Sequence, residues 1–172
     1  MSETILSGPP PATLAILLDD PDAHDFPAVA RILGDLTPQQ ATTTPPGLPY
    51  SVARIVAHMD ANMRFNLGLI RASAPAAYDE RFESWPEVSA EGWPALLEEF
   101  FTHLRALTQV AREAQDLDRV LYPATDKDPS WTVGYKLACS VAKHNAYHLG
   151  QIVVLRRLIG AWEERARAPA DS

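Results

Sequence analysis

Residues 131–159 read WTVGYKLACSVAKHNAYHLGQIVVLRRLI and predict one long helix near the C-terminus. At roughly 100° per residue, His144, His148 and Gln151 fall within about 60° of one another on the surface of this helix. The same face is apolar, because its spacing of three and four residues is shared by Val133, Leu137, Val141, Ile152, Leu155 and Ile159. Two imidazoles therefore lie in a seam that we expect to be buried, and buried polar rings need partners.

The length and charge of the chain favour a single acidic domain. We expect one domain over residues 1–172, with mobile tails at 1–11 and 165–172. Fifteen Lys+Arg against 22 Asp+Glu give a formal net charge of -7, which repels the phosphate backbone, so we expect no nucleic-acid partner. The last arginines are interrupted by acidic residues and indicate a solvated helix end. They are Arg156, Arg157, Arg165 and Arg167.

Cysteine usage and hydropathy predict a cytoplasmic protein. The lone cysteine, Cys139, cannot form an internal disulfide, which favours a reducing compartment. No stretch approaches 18 uncharged apolar residues, and the first 11 residues lack the basic start and apolar core of a signal peptide. We therefore expect no membrane partner.

Three further helical regions precede the last helix. A broken first helix covers Ala12–Leu18 and resumes near Phe26, a second runs from an N-cap at Ser51 to about Arg71, and a third runs from Trp93 to about Ala114. Residues 37–50 read as an irregular connection, Ser130 as the N-cap of the last helix, and no strand pattern of period two is present. The sequence predicts an all-α, up-and-down four-helix bundle. A long crossover loop at 72–92 carries three aromatics that either wall a pocket or anchor a surface crossover: Tyr78, Phe82 and Trp85.

The histidines predict a metal site. His144 and His148, four residues apart, form a two-imidazole platform for a divalent transition metal such as Zn, Ni, Fe or Co. His58 lies at the inward edge of the second helix with Asn62 one turn later, while Arg54, Asp60, Arg64 and Arg71 are expected on the solvent side. His103 either reaches the site or is a hydrogen-bonded core residue. The amides of Gln151 and Asn62 either orient a water or substrate as catalytic residues or make structural hydrogen bonds.

The chain resembles the DinB/YfiT-like superfamily of metal-binding four-helix proteins. The resemblance rests on His58 in the run IVAHM, on the motif from His144 to Gln151, and on PPGLPYS before the second helix, and it covers about 12–159. It implies that His58, His144 and His148 bind a divalent ion, usually Zn or Ni. It also implies a low-molecular-weight thiol such as mycothiol, bacillithiol or glutathione as cosubstrate. Other members are classed as hydrolases or have no assigned activity.

These features together predict a metal-dependent thiol S-transferase or hydrolase that acts on a small molecule. A metal with an open position lowers the pKa of water, polarises a carbonyl or holds a thiol as thiolate. One alternative is a non-catalytic metal-binding stress-response module, and another is a bundle whose histidines bind no metal. We also expect a homodimer, although the apolar residues that suggest it could equally pack inside the bundle: Ala142, Leu149 and Val153.

Overall fold

The computed structural model describes residues 4–20, 26–72, 85–113 and 116–162. The chain is mostly helical, which confirms the predicted all-α class at that level. The helices are α1 (Pro11–Leu18), α2 (Val29–Leu33), α3 (Pro38–Thr42), α4 (Val52–Arg71), α5 (Trp93–Glu113), α6 (Val133–Lys136) and α7 (Lys143–Leu158). A π-helical segment (Leu137–Ala142) joins α6 to α7 without a break, and the three short strands are β1 (Ile5–Leu6), β2 (Val120–Tyr122) and β3 (Ser130–Thr132).

The two central helices follow the predicted boundaries. Ser51 caps α4, because its hydroxyl accepts a hydrogen bond from the backbone N–H of Arg54 at 3.2 Å. The predicted apolar side of α4 is buried along its whole length, and α5 buries its own stripe of Phe100, Leu104 and Leu107 against it. A second face of α4 packs against the π-helical segment and α7. The face that carries His58 is thereby placed beside the last helix.

One hydrophobic core connects the longer helices. α1 packs against α5 and the π-helical segment, α5 packs against α4, and α4 packs against α7. The short helix α2 lies against α7, and α3 contacts α4 and α5. Leu149 and Val153 pack on this core and Ala142 is buried within it, so these residues take the intramolecular alternative of the two expected for them. The homodimer stays a prediction.

A small sheet precedes the last helix and corrects two expectations. β3 pairs in parallel with β1 and antiparallel with β2, although strands of two or three residues are too short to show a period of two. Because Ser130 lies in β3, its hydroxyl accepts from the N–H of Ala124 at 2.9 Å. Thr132 caps the helix instead, accepting from the N–H of Tyr135 at 3.2 Å. The prediction of Ser130 as the N-cap was therefore wrong.

The N-terminal segment expected to be a mobile tail, residues 1–11, contains the strand β1. Thr132 donates its hydroxyl hydrogen to the carbonyl of Leu6 at 3.1 Å, and Gly8 lies against the start of the last helix. A β-carbon at Gly8 would lie 2.3 Å from the backbone carbon of Gly134, so this close approach requires glycine. Residues 1–3 and 163–172, which include the expected C-terminal tail, lie outside the described residues.

The connection expected to be irregular contains α3. The hydroxyl of Thr37 accepts from the N–H of Gln40 at 3.2 Å, and the side-chain oxygen of Gln40 accepts from the N–H of Thr37 at 3.0 Å. This reciprocal pair is a capping box, and Pro38 occupies the first turn where it costs no hydrogen bond. Among the described helices, none combines the length and hydropathy needed to cross a bilayer.

Candidate metal centre

Three histidines from two helices converge. α4 carries His58, and α7 carries His144 and His148. One ring nitrogen from each lies within 4.8 Å of those of the other two. The Nε2 atoms of His58 and His144 are 2.9 Å apart. His148 is buried and the other two rings are half-buried. The packing of α4 against α7 thus brings the ring of His58 to the two histidines that share one face of the last helix.

Gln151 contacts the histidine one turn before it. Its side-chain oxygen accepts a hydrogen bond from Nδ1 of His148 at 2.7 Å. Donation through Nδ1 leaves Nε2 of the neutral ring with its lone pair. The amide of Gln151 therefore acts on the orientation and tautomer of His148.

Asn62 joins α4 to the π-helical segment beside the second histidine. Its Nδ2 donates to the carbonyl of Ser140 at 2.6 Å and lies 3.3 Å from Nδ1 of His144. Its side-chain oxygen accepts from Nδ2 of Asn66 at 3.1 Å. These contacts hold the side chain against the ring of His144. Asn62 and Gln151 each lie against a different histidine of the cluster.

Burial keeps the rings of His144 and His148 neutral. Burial, together with the neighbouring His148 and His58, lowers the pKa of His144 to about 4. Burial also lowers the pKa of His148, although the hydrogen bond with Gln151 acts in the opposite direction. Both rings therefore carry lone pairs at neutral pH, which is the form that binds a metal ion.

The donor set fits a divalent transition metal. Nitrogens bound to one ion at about 2.0–2.1 Å in a tetrahedral arrangement lie about 3.4 Å apart. The 2.9 Å between the Nε2 atoms of His58 and His144 and the 4.8 Å limit of the whole group bracket this separation. Imidazole ligands suit Zn, Ni, Co and Fe. In the part of the chain that the structure describes, no carboxylate or cysteine joins the three-histidine group, so the group supplies three ligands. A site of three protein ligands leaves a coordination position open.

His103 lies outside the three-histidine group. Its Nδ1 is 2.7 Å from a carboxylate oxygen of Asp60, and that carboxylate is buried between α4 and α5. His103 therefore takes the second of its two predicted roles, that of a hydrogen-bonded core residue. The expectation that Asp60 faces solvent with the arginines of α4 was wrong, because the hydrogen bond with His103 gives the buried carboxylate a partner.

Aromatic rings border the histidines. The indole of Trp85 stacks on His58, with ring centroids 3.9 Å apart and planes 2° apart, and Tyr50 stacks on the other face of the indole at 4.1 Å and 9°. Tyr147 meets the ring of His148 edge-on at 5.1 Å. Trp85 lies beside the histidines, and both predicted roles for it, pocket wall or anchor of a surface crossover, stay predictions. Tyr78 and Phe82 lie outside the described residues.

The sequence reasoning did not include Tyr50 in the site. The one available signal was its position directly before Ser51, the N-cap of the helix that carries His58. Because the residue before an N-cap turns back over the first turns of the helix, an aromatic ring there can cover a side chain further along.

Comparison with known proteins identifies the family. A family model described as mycothiol-S-transferase matches residues 23–161. No curated protein and no solved structure matches the chain significantly. Since the family match covers most of the chain, including all three histidines, the chain belongs to the mycothiol-S-transferase family within the DinB/YfiT-like superfamily.

Proposed function

We propose that this protein is a metal-dependent thiol S-transferase that joins mycothiol to a small electrophilic molecule. His58, His144 and His148 would hold the divalent ion, with zinc or nickel as the leading candidates. The observation that carries the proposal is the convergence of three imidazoles, one ring nitrogen from each within 4.8 Å of the others, in a chain of this family.

An amide of the chain orients one of the proposed ligands, and the three imidazole ligands would leave the positive charge of a bound ion unneutralised. Gln151 accepts from Nδ1 of His148 and so keeps the lone pair of that ring on Nε2, and we assign it a positioning role. Asn62 donates to the carbonyl of Ser140 and turns a donor toward Nδ1 of His144, so we assign it the structural role of joining α4 to the π-helical segment beside that ring. A bound divalent cation supplies positive charge that favours the thiolate form of a substrate thiol. Because the three imidazoles would bind as neutral ligands, the protein would leave this positive charge in place.

The proposed reaction is a substitution at carbon. A bond forms between the thiol sulfur and the electrophilic carbon, and the thiol proton is released to solvent. When the electrophile is a halide, the carbon–halogen bond breaks and the halide leaves with its electron pair. The product is a thioether of mycothiol.

We further propose that the helices form an up-and-down four-helix bundle around this site. The closed series of packing contacts from α1 to α5, α4 and the last helix and back to α1 supports this arrangement. A bundle of this kind builds its metal sites from side chains on facing helices. The cytoplasmic location stays a prediction.

The test compares metal-stripped protein with protein reloaded with zinc or nickel. Each form is incubated with mycothiol and a panel of aryl and alkyl halides, and thioether product is measured by mass spectrometry. We expect product above the uncatalysed rate only with reloaded protein. Metal-dependent product from an ester panel without thiol would instead identify a hydrolase. Stoichiometric metal binding with no product in either panel would identify a non-catalytic metal-binding module, and both results contradict the proposal.

A further inference from the structure

The indole of Trp85 lies between two other rings at the edge of the metal centre. Its faces stack on His58 and Tyr50, with centroids 3.9 Å and 4.1 Å away, and its edge meets His148 at 5.9 Å. Trp85 therefore contacts two of the three histidines. It also belongs to the segment before α5 rather than to either helix that carries them.

Side-chain contacts fasten this segment to the start of α4. Nη2 of Arg54 donates to the backbone carbonyl of Trp85 at 3.4 Å, and Nη1 forms an ion pair with Glu87 at 2.9 Å. The guanidinium also lies 5.3 Å from the ring centroid of Tyr50. Arg54 and Tyr50 thus hold the indole from the backbone side and from its outer face.

We propose that Trp85 is a positioning residue of the metal centre, which fixes the ring plane of His58 and strengthens its binding to the ion. The inference rests on the proposed metal site. Gln151 accepts from a ring nitrogen of His148, and Nδ2 of Asn62 lies 3.3 Å from a ring nitrogen of His144, whereas Trp85 acts on the face of the third ring.

Two physical effects give this stack a role in metal binding. A parallel ring with its centroid 3.9 Å away opposes rotation of the His58 ring about its Cβ–Cγ bond. The direction of the nitrogen lone pair is therefore set before the ion arrives. An imidazole that donates its lone pair to a cation also becomes more positive, and the electron-rich indole face attracts positive charge. Both effects favour the metal-bound form.

The experiment compares Trp85→Leu with Trp131→Leu. Trp131 contacts Tyr122 and Tyr135 and makes no ring contact with a histidine among the described residues. Zinc affinity is measured by competition with a chromophoric chelator. We expect Trp85→Leu to weaken zinc binding by about tenfold, as for residues that orient a ligand, and Trp131→Leu to stay within about twofold of the unchanged protein. An affinity of Trp85→Leu equal to that of the unchanged protein would overturn the inference.

A spectroscopic arm covers the case in which Trp85→Leu does not fold. Trp85→Phe keeps a ring that can stack, and Co²⁺ quenches tryptophan emission at short range. We expect Co²⁺ to quench part of the emission of the unchanged protein and of Trp131→Leu, and this quenching to be lost in Trp85→Phe. Quenching retained in Trp85→Phe would overturn the inference. Failure of the unchanged protein to bind either ion would instead overturn the proposed metal site.

Discussion

The last helix buries polar side chains at two places, and the two differ in how those side chains are paired. Near the start of α7, His144 and His148 face His58, with two Nε2 atoms 2.9 Å apart and no carboxylate in the group. Near its end, Arg156 is only 2% exposed. The histidines point their nitrogens toward one another, whereas the arginine directs its nitrogens to oxygen atoms of the protein.

Arg156 forms five hydrogen bonds, as many as a guanidinium has N–H groups. Nε and Nη2 donate to the carbonyl of Ala161 at 2.9 and 2.6 Å, Nη1 donates to the carbonyls of Arg31 and Ile32 at 3.1 and 2.5 Å, and Nη2 pairs with Asp35 at 2.5 Å. The side chain thereby joins the end of α7 to α2 and the turn after it. The expectation of a solvated arginine at this helix end was wrong, because carbonyl groups of remote residues replace its water.

The contrast separates a structural polar group from a binding site. A buried arginine with a full set of acceptors has no capacity left for a ligand, and its role is to hold three segments together. Three imidazoles converge here, with one ring nitrogen from each within 4.8 Å of the others. Burial first, and then the neighbouring His148 and His58, lowers the pKa of His144 to about 4, so this ring is neutral at pH 7 and keeps a lone pair for a ligand. Burial alone does not identify function, but the pairing of each buried atom does.

The largest effect is expected from removing a histidine near the start of α7. His148→Ala removes one of the three proposed ligands, and a ligand contributes about 3 kcal/mol if a zinc-binding free energy of about 10–16 kcal/mol is shared among four. We expect zinc affinity to fall more than about a hundredfold, and elemental analysis of reloaded protein dialysed against a competing chelator to find no bound metal. The matched control is His103→Asn, which keeps a donor for Asp60. Metal retained in His148→Ala, or lost in the control, would contradict the assignment.

Substituting Arg156, near the end of α7, should lower the stability of the fold and leave metal binding intact. Arg156→Met leaves the buried carbonyl of Ile32 without a donor and weakens the link to Ala161, while Asp35 is exposed enough to regain water. We expect the free energy of unfolding of metal-free protein to fall by about 2–3 kcal/mol in urea titrations. Arg157→Met, at an exposed position, should cost less than about 0.5 kcal/mol. Equal losses in the two variants would argue against a structural role for Arg156.

Sequence reasoning predicted the parts of this contrast that depend on helical periodicity. The buried face of α4, the limits of α5 and the shared face of His144 and His148 follow from spacings of three and four residues, because one face of a helix repeats with its turn. The convergence of His58 with them was inferred from its place at an inward edge. The amphipathic pattern therefore carried most of the candidate site.

The remaining features depend on contacts between distant residues. The partners of Arg156 are mainly backbone carbonyls, which no residue type reveals, and β1 pairs with a strand more than a hundred residues later. The hydrogen bond of Asp60 with His103 likewise joins two helices. In contrast, α3 had a local signal, since Thr37 followed three residues later by Gln40 is the pattern of a capping box. That element could have been predicted.

Substitutions of Gln151 should have a smaller effect, and they test how the ring of His148 is oriented. Gln151→Leu removes the acceptor for Nδ1 of His148 and frees its ring to rotate and change tautomer. We expect zinc affinity to fall by about tenfold with unchanged stoichiometry. Gln151→Glu keeps an acceptor and adds a charge that makes the imidazole a better donor to the metal, so it should bind at least as tightly as the unchanged protein. Isothermal titration of both variants tests this, and equal affinities would remove the positioning role of Gln151.

The smallest effect is the pH dependence of the metal-free protein. The pKa of His144 is about 4 in the folded state against 6.5 for an ordinary histidine, so between these values the unfolded chain binds more protons. Stability should therefore fall as pH decreases from about 6.5 to about 4, and this contribution should not change further below that range. Because the ring is only half-buried and screened by solvent, we expect a loss on the order of 1 kcal/mol rather than the full value of the shift. Urea unfolding of chelator-treated protein at pH 7 and pH 5 measures it, and His144→Asn should show a smaller decrease. An identical decrease in the variant would mean that groups other than His144 titrate in this range, and it would contradict the prediction.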